Sequence, residues 1–249
     1  MPVTSKLLLN ALLRYNYLPF QKKDRGELPP VFSSVTFSPE TAKKLIHAVQ
    51  RKNEGWDCVE YRLTRFNGVP RIVSIPHPLA YAHLCICLHD NWKSLRYIER
   101  NQQSEVRPKT HKDGRVIIMD YGELPEKNRH LVESSFARRF VVHTDIANCF
   151  PNIYSHAIPW ATVGLAAAKT AKTNPNTWFN QLDKKVRWCK RNETQGIPVG
   201  PATSNIITEA ILAKVDQALM PNRFLSSDIS MTILPFVSPK IERKSSSEP

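Results

Sequence analysis

The sequence predicts a mixed α/β (α+β) fold, and three observations carry this prediction. Residues 38–50 have the cap and the apolar spacing of an amphipathic helix, 58–75 alternate as two strands around a turn, and 140–143 form a strand that leads to Asp145. A chain of 249 residues can bury a sizeable core. Its length fits one large domain or two small ones.

The amino-terminal half combines helical patterns with one strand pair. The predicted elements are helices at 5–15, 38–50 and 79–92 and a β-hairpin at 58–75. Ser38 followed by Pro39 is typical of a helix start, because the serine caps the free amides and proline fits the first turn. Asn67-Gly68 is a strong hairpin signal, since both residues accept positive φ. The segment KKDRGELPP at 22–30 contains Gly26 and Pro29-Pro30, so it is predicted to be extended rather than a regular element.

The second half of the chain contains shorter elements. They are predicted as a strand at 116–119 after a turn at 112–115, a helix at 129–140, a strand at 140–143, and helices at 154–168 and 203–219. Trp178 and Phe179 are interpreted as core residues, although aromatics among lysines can also bind single strands. The last helix is expected to bury a stripe of four apolar residues, Ile207, Ile211, Val215 and Leu219.

Charge indicates the class of partner. The net charge is +13 and the isoelectric point is about 9.7. Such an excess of Lys and Arg attracts polyanions, so nucleic acid is the expected partner. A basic protein with solvated charged faces remains the alternative, because charge alone does not separate the two.

The cysteines and the amino terminus bear on location. The five cysteines have irregular spacing and no CxxC pair, which favours free, buried thiols in a reducing compartment over a zinc site. The apolar run 7–13 is interrupted by Asn10 and ended by Arg14, so neither a signal peptide nor a membrane span is predicted. A cytoplasmic protein with no membrane partner is expected.

The segment VVHTDIANCFPNIY at 141–154 contains the first residues of chemical interest. β-Branched residues lead to Asp145, and Phe150 follows five residues later, before a Pro-Asn turn. A carboxylate at the end of a strand can hold a metal ion. A single Asp in this place is more commonly a helix cap, so the segment does not decide its own function.

A second segment, TQGIPVGPATSNIITE at 194–209, changes that balance. It contains Gln195-Gly196-x-Pro198-x-Gly200. In this order, the two segments resemble the first catalytic block and the Gln-Gly-x-Pro-x-Gly block of the palm of a reverse transcriptase, an RNA-directed DNA polymerase. The resemblance implies that the second block binds the incoming nucleotide.

RIVSIPHPLAY at 71–81 resembles the fingers block of the reverse-transcriptase family. Two further stretches, ELPPVFSS at 27–34 and IYSHAIPWA at 153–161, narrow the resemblance to bacterial abortive-infection reverse transcriptases, which defend cells against phage. The resemblance implies right-hand polymerase architecture, with an N-terminal helical and extended region at 1–50, fingers at 51–139, part of a palm at 140–220 and a tail at 221–249. For ELPPVFSS, a Pro-rich loop is the alternative.

The resemblance also implies roles for individual residues. Asp145 and the backbone carbonyl of Ile146 would hold Mg²⁺ or Mn²⁺, and Phe150 would occupy the position of the aromatic that blocks a ribose 2′-hydroxyl and favours deoxynucleoside triphosphates. Gln195 and Gly196 would position the nucleotide and the RNA or DNA template-primer. The glycine suits a place where backbone must approach a ligand closely.

The fingers hairpin supplies the candidate triphosphate ligands. Arg65 and Arg71 lie on the two sides of the predicted turn, and a guanidinium binds phosphate bidentately. The resemblance implies this role, whereas an exposed hairpin arginine is otherwise more often solvated.

One block of the family is missing. Two-metal nucleotidyl transfer needs more than one carboxylate, and the sequence has no adjacent pair of Asp residues, nor length for a thumb. Three hypotheses follow: an amino-terminal portion of a defence reverse transcriptase, an inactive fingers-palm remnant that binds nucleic acid, and a basic scaffold for other proteins. The order of the motifs argues against the third. Oligomeric state is not predicted.

The tail suggests how the block was lost. Residues 221–249 show no clear periodicity, and permitted codons for Ser227 to Ile233 read in a shifted frame spell Arg-Tyr-Ile-Asp-Asp-Tyr, the missing block. A frameshift between about 218 and 227 is therefore hypothesised, which would leave a disordered carboxyl-terminal tail. Sequencing the locus decides between this hypothesis and a natural short form.

Overall fold

The computed structural model describes most of the chain. The described residues are 2–18, 32–49, 55–63, 70–101, 104, 106–118, 129, 132–133, 136, 140–219 and 229–234, and for 140–145 and 229–234 the description is of the backbone. Mixed helices and small sheets make the protein α+β, which confirms the predicted fold class at this level.

The chain divides into two compact units. Unit 1 comprises Met1–Tyr121 and Phe150–Pro221, and unit 2 comprises Gly122–Cys149 and Asn222–Pro249. The four regions predicted from the sequence remain a prediction. Each unit is described by itself.

Three helices form the amino-terminal part of unit 1. They are α1 (Ser5–Arg14), α2 (Pro39–Ala48) and α3 (Pro78–Asp90), all at predicted positions. The apolar residues of α3 surround the helix and are largely buried, as expected for a helix enclosed on several sides. Tyr81 in α3 donates a hydrogen bond to the Leu12 carbonyl at 2.9 Å, which joins α3 to α1.

Helix α2 begins as predicted but buries less of its apolar face than the sequence predicts. Thr41 N donates to the Ser38 hydroxyl at 3.2 Å, which confirms the cap. Ala42 is fully buried, whereas Val49, predicted for the same face, is 42% exposed. Val49 has extended backbone at the end of the helix, so it leaves the helical face.

The predicted hairpin is present as strands β1 (Val59–Leu63) and β2 (Arg71–Ile75). They pair antiparallel, with Val59 opposite Ile75 and Leu63 opposite Arg71. The turn containing Asn67-Gly68 and the candidate Arg65 lies outside the described residues. Val73 is fully buried and Ser74 is 5% exposed, so β2 faces the core of unit 1 at its centre.

After α3 the chain continues through α4 (Trp92–Leu95) and a 3-10 helix (Arg96–Arg100) into a loop. The predicted strand at 116–119 is wrong for its described part, because 116–118 have irregular backbone. Buried Asn16 supplies the reason. Its amide donates to the Ile117 carbonyl at 2.9 Å, and its carbonyl oxygen accepts from Val116 N at 2.9 Å. These groups therefore bond to a side chain rather than to a neighbouring strand.

The predicted helix at 154–168 is two helices. A single turn, α5 (Cys149–Asn152), is followed by α6 (Ala157–Val163) and α7 (Leu165–Thr170). Gly164 separates α6 from α7 with a φ of +87°, a conformation that ends a helix and that glycine adopts without strain. Helix α8 (Trp178–Trp188) follows, and it packs on α3 and α6. Phe179 is buried as predicted, whereas Trp178 is only half-buried.

The long helix α9 (Ala202–Leu219) confirms the predicted position but not the predicted stripe. Val215 is 42% exposed, while Thr208 and Glu209 are buried at 2% exposure each. Helix α9 contacts both α6 and the 3-10 helix, so more than one face is covered. Burial raises the pKa of Glu209 to about 6.

Unit 2 contains a parallel strand pair. Strand β3 (Phe140–Asp145) extends the predicted strand to the carboxylate, and it pairs with β4 (Ile229–Leu234), with Asp145 opposite Leu234. Strand β4 lies where the sequence predicted no regular element. The predicted helix at 129–140 lies mostly outside the described residues.

The thiols and the membrane prediction can be compared with the structure. All five cysteines are free, and four of them are buried. Burial raises the pKa of Cys87 to about 11, so this thiol is protonated at neutral pH. Among the described residues, no helix is both long and apolar enough to cross a membrane.

Candidate functional site

Within unit 1, the last residues of the first motif segment, from Phe150 onward, meet the second motif segment through backbone hydrogen bonds. Gly196 N donates to the Ile153 carbonyl at 2.7 Å, and Ile197 N donates to the Phe150 carbonyl at 3.0 Å. Ser155 N donates to the Thr194 carbonyl at 2.8 Å. Residues 194–200 are here called the QGIPVG loop. This loop and the segment 150–155 therefore form one backbone layer.

A bridge of strand type continues this layer. Tyr154 and Gln195 pair as an isolated antiparallel bridge. Gln195 is exposed at the edge of the layer, whereas Gly196, Ile197 and Pro198 are buried. The loop thus presents the Gln195 side chain to solvent and uses the following residues for packing.

Gly196 occupies a position that other residues would fill with difficulty. Its φ is +84°, a region that favours glycine. A Cβ atom here would lie 2.6 Å from Lys190 Nζ and 3.0 Å from the Pro151 carbonyl oxygen. The close neighbour at this glycine is the backbone of Pro151. Close approach of a ligand to Gly196 remains a prediction.

The hairpin is attached to the same loop. Ser74 N in β2 donates to the Val199 carbonyl at 2.7 Å. Arg71 lies at the start of β2 and is half-buried. The candidate phosphate ligand Arg71 and the QGIPVG loop are therefore parts of one connected backbone structure within unit 1.

Side chains hold the two ends of the loop. The Ser204 hydroxyl in α9 donates to the Pro198 carbonyl at 2.6 Å, and Lys190 Nζ donates to the Gln195 carbonyl at 3.0 Å. Gly200, with a φ of +134°, turns the chain towards α9. Ala202 N then donates to the Asn16 carbonyl at 2.9 Å, so the first turn of α9 is tied to the end of α1. The loop is held by α9, by α1 and by a lysine that adds positive charge beside Gln195.

Phe150 is buried where the chain enters unit 1. It is 5% exposed, and its carbonyl accepts the bond from Ile197. In this structure the ring packs inside the protein. The role of blocking a ribose hydroxyl, which the resemblance implies, remains a prediction.

Asp145 and Ile146, the predicted metal ligands, belong to unit 2. Asp145 ends β3, and Ile146 follows it with a half-buried side chain. Mg²⁺ and Mn²⁺ take oxygen ligands, and a two-metal site needs several carboxylates. Among the described residues, no group of three or more His, Cys, Asp or Glu side chains could hold a metal ion. The side chain of Asp145 lies outside the described residues, so its role as a metal ligand remains a prediction, and no reaction step is assigned to a metal.

A histidine that is hydrogen-bonded to a buried carboxylate beside the layer was not predicted from the sequence. His156 Nδ1 lies 2.9 Å from Asp183 Oδ2 in α8, and Arg187 Nε lies 3.4 Å from Asp183 Oδ1. Asp183 is 5% exposed, so this carboxylate is enclosed between a histidine and an arginine. The sequence signal was weak, because an Asp one turn before an Arg is common on solvated helices.

Comparison with known proteins adds no assignment. No protein-family model matches the sequence, and no curated protein matches it. We therefore infer the function of the chain from its geometry and from the motif resemblance.

Proposed function

We propose that the chain is a fingers and partial-palm portion of a reverse-transcriptase-like polymerase of the phage-defence type. Its role would be to bind an RNA or DNA template-primer and a deoxynucleoside triphosphate at the QGIPVG loop. The proposal concerns unit 1, where the loop, β2 and the segment 150–155 are joined.

One observation carries the proposal. The two motifs that define the resemblance are separated by about 40 residues in sequence, yet two backbone hydrogen bonds join them at 2.7 and 3.0 Å, and a third joins the next residue, Ser155, to Thr194. A chance match of two short motifs gives no reason for such contact. A nucleotide site built from both segments requires it.

Charge supports the same partner. The net charge of +13 provides a field that attracts phosphates. Lys190 and Arg71 place two of these charges on or beside the joined segments. Nucleic acid would bind mainly by release of counterions, which makes its affinity fall as salt rises.

A second candidate function is a nucleic-acid-binding remnant without catalysis. The absence of adjacent Asp residues from the sequence favours it, since two-metal transfer requires further carboxylates. Both candidates predict nucleic-acid binding, and primer extension separates them. We expect no extension of a primer with Mg²⁺ or Mn²⁺. Extension that is lost in Asp145→Ala would favour the polymerase and overturn the non-catalytic alternative.

The binding experiment uses a labelled RNA template annealed to a DNA primer, with fluorescence anisotropy read across a range of salt concentrations. Arg71→Gln should weaken binding and reduce the slope of log affinity against log salt by about 1, as expected for one lost phosphate contact. Lys44→Gln, on the exposed side of α2, makes the same charge change outside the candidate site. It should leave the slope nearly unchanged.

Comparison of the two variants distinguishes a specific phosphate contact at Arg71 from attraction by the net charge of the protein. Equal effects of Arg71→Gln and Lys44→Gln would mean that only net charge matters, which would contradict a site at the hairpin. Failure of the unmodified protein to bind the template-primer at low salt would contradict the proposal as a whole.

A further inference from the structure

Three aromatic side chains form an exposed cluster at the edge of the backbone layer. This cluster, here called the aromatic patch, consists of Tyr154, His156 and Trp160. The ring centroids of Tyr154 and His156 are 5.0 Å apart, and those of Tyr154 and Trp160 are 5.9 Å apart. Tyr154 and Trp160 are each 44% exposed, and the His156 side chain is 39% exposed. The rings thus touch one another while presenting their surfaces to solvent.

The structure fixes the patch at both ends. The imidazole of His156 is held by the buried carboxylate of Asp183 at 2.9 Å. Trp160 belongs to helix α6, which packs on α8 and α9. A preorganised patch loses less conformational entropy on binding than mobile side chains would.

The patch continues directly into the QGIPVG loop. Tyr154 is the bridge partner of Gln195, and Lys190 Nζ bonds the Gln195 carbonyl. An exposed ring cluster, an exposed amide and a cation therefore follow one another along one edge. Aromatic rings beside positive charge are the combination with which proteins bind unpaired nucleotides, because the rings stack on bases and the cations attract phosphates.

We propose that the aromatic patch is a stacking platform for the unpaired bases of single-stranded nucleic acid beside the QGIPVG loop. This inference rests on the proposed function and assigns a place and a chemical class to the strand that is not base-paired. Its occupant is nucleic acid rather than a protein, because the chain carries net charge +13; the neighbouring Lys190 bonds the Gln195 carbonyl and also pairs with Glu193 Oε2 at 3.3 Å.

The experiment compares an oligo(dT) strand with an abasic strand of equal length, which keeps the phosphates and lacks the bases. Affinities of the full chain are measured by fluorescence anisotropy at several salt concentrations. Trp160→Ala and Tyr154→Ala should each weaken oligo(dT) binding by about 5- to 100-fold, as for loss of one stacked base. Neither should change abasic-strand binding or the salt slope, because the phosphate contacts remain. Phe32→Ala removes an exposed aromatic outside the patch, 50% exposed, and should have no effect.

Conservative variants guard against loss of folding. Trp160→Phe keeps a ring and should retain most of the affinity for oligo(dT), whereas Trp160→Leu keeps apolar volume without a ring and should lose it. Circular dichroism checks that the folded content is unchanged. If Trp160→Leu binds oligo(dT) as well as Trp160→Phe does, stacking is not the basis of binding and the inference is overturned.

The remaining outcomes separate this inference from the proposed function. Salt-dependent binding that is equal in the unmodified protein, Tyr154→Ala and Trp160→Ala overturns the platform and leaves the proposed function standing. Absence of binding to both strands and to the template-primer overturns both. A dimer in sedimentation that Trp160→Ala converts to a monomer would identify the patch as a self-association surface, which also overturns the inference.

Discussion

Replacing Gly196 by alanine tests the junction between the two motifs. At a φ of +84° an L-residue costs about 1–2 kcal/mol of backbone strain. Restriction of the unfolded chain returns about 0.4–1 kcal/mol. The new Cβ would lie 3.0 Å from the Pro151 carbonyl oxygen, so backbone must shift, and overpacking of this kind costs about 1–3 kcal/mol. Gly196→Ala should therefore lower the free energy of unfolding by about 1–4 kcal/mol.

Gly164 is the matched control for the same substitution. Its φ of +87° is almost the same, but nothing lies within 4 Å of the position of a Cβ atom. With a ψ of 151°, Gly164 lies in a region that is essentially restricted to glycine and costs another residue about 1–3 kcal/mol. After the unfolded-state gain, Gly164→Ala should cost about 0–2.6 kcal/mol from backbone conformation alone. The close contact with Pro151 adds to the cost only in Gly196→Ala.

Urea denaturation followed by circular dichroism measures both variants under the same conditions. The account predicts that Gly196→Ala unfolds at lower urea than Gly164→Ala, with a difference of about 1–3 kcal/mol. Adding Lys190→Ala should recover little of this loss, because the lysine amine is the end of a flexible chain and can move away. Equal stability of the two glycine variants would refute the contact between the loop and the segment 150–155.

Two further predictions concern buried polar groups. The pKa of Glu209 is raised from 4.5 to about 6 by burial, so the folded state binds this proton more tightly than the unfolded chain does. This carboxyl should contribute about 2 kcal/mol of stability below pH about 4.5, and that contribution should be lost as the pH rises through about 6. Glu209→Gln should remove the loss, and a pH profile of urea midpoints that is the same in Glu209→Gln and in the unmodified protein would contradict this. Asn16→Ala leaves the buried Val116 N–H and Ile117 carbonyl without their bonds to this side chain. It should lower the free energy of unfolding by about 2–4 kcal/mol. A decrease below about 0.5 kcal/mol in urea denaturation would show that the loop does not depend on Asn16.

Local patterns predicted the elements whose cause is local. The hairpin strands and α2 follow from alternation and from the Ser38 cap, and both are present. The helix predicted at 154–168 was divided because Gly164 adopts positive φ, which its sequence neighbours do not require. A glycine inside an apolar run has no local signal that distinguishes a packed position from a break.

Burial in α9 depended on tertiary contacts. The predicted stripe assumed one covered face, but α9 contacts two elements of unit 1. Glu209 is therefore buried and Val215 exposed, the reverse of the prediction. The spacing of apolar residues does not contain this information, because it describes the helix alone.

The candidate site was predictable in part. The QGIPVG loop and the segment 150–155 were selected by resemblance, and their backbones are joined by hydrogen bonds. Their role in nucleotide binding remains a prediction. The aromatic patch was missed because its members belong to an apolar stretch interpreted as a single helix. Tyr154 and Trp160 become neighbours only through the turn that precedes α6.

The central claim is that nucleic acid lies against the QGIPVG loop and the segment that pairs with it. Photo-crosslinking of a template-primer containing 4-thiothymidine, followed by mass spectrometry of the cross-linked peptides, tests it most directly. We expect cross-links within 150–160 and 190–200. Their yield should fall when unlabelled template-primer is added as a competitor. Cross-links confined to residues 2–18 and 39–48, on α1 and α2, would contradict it.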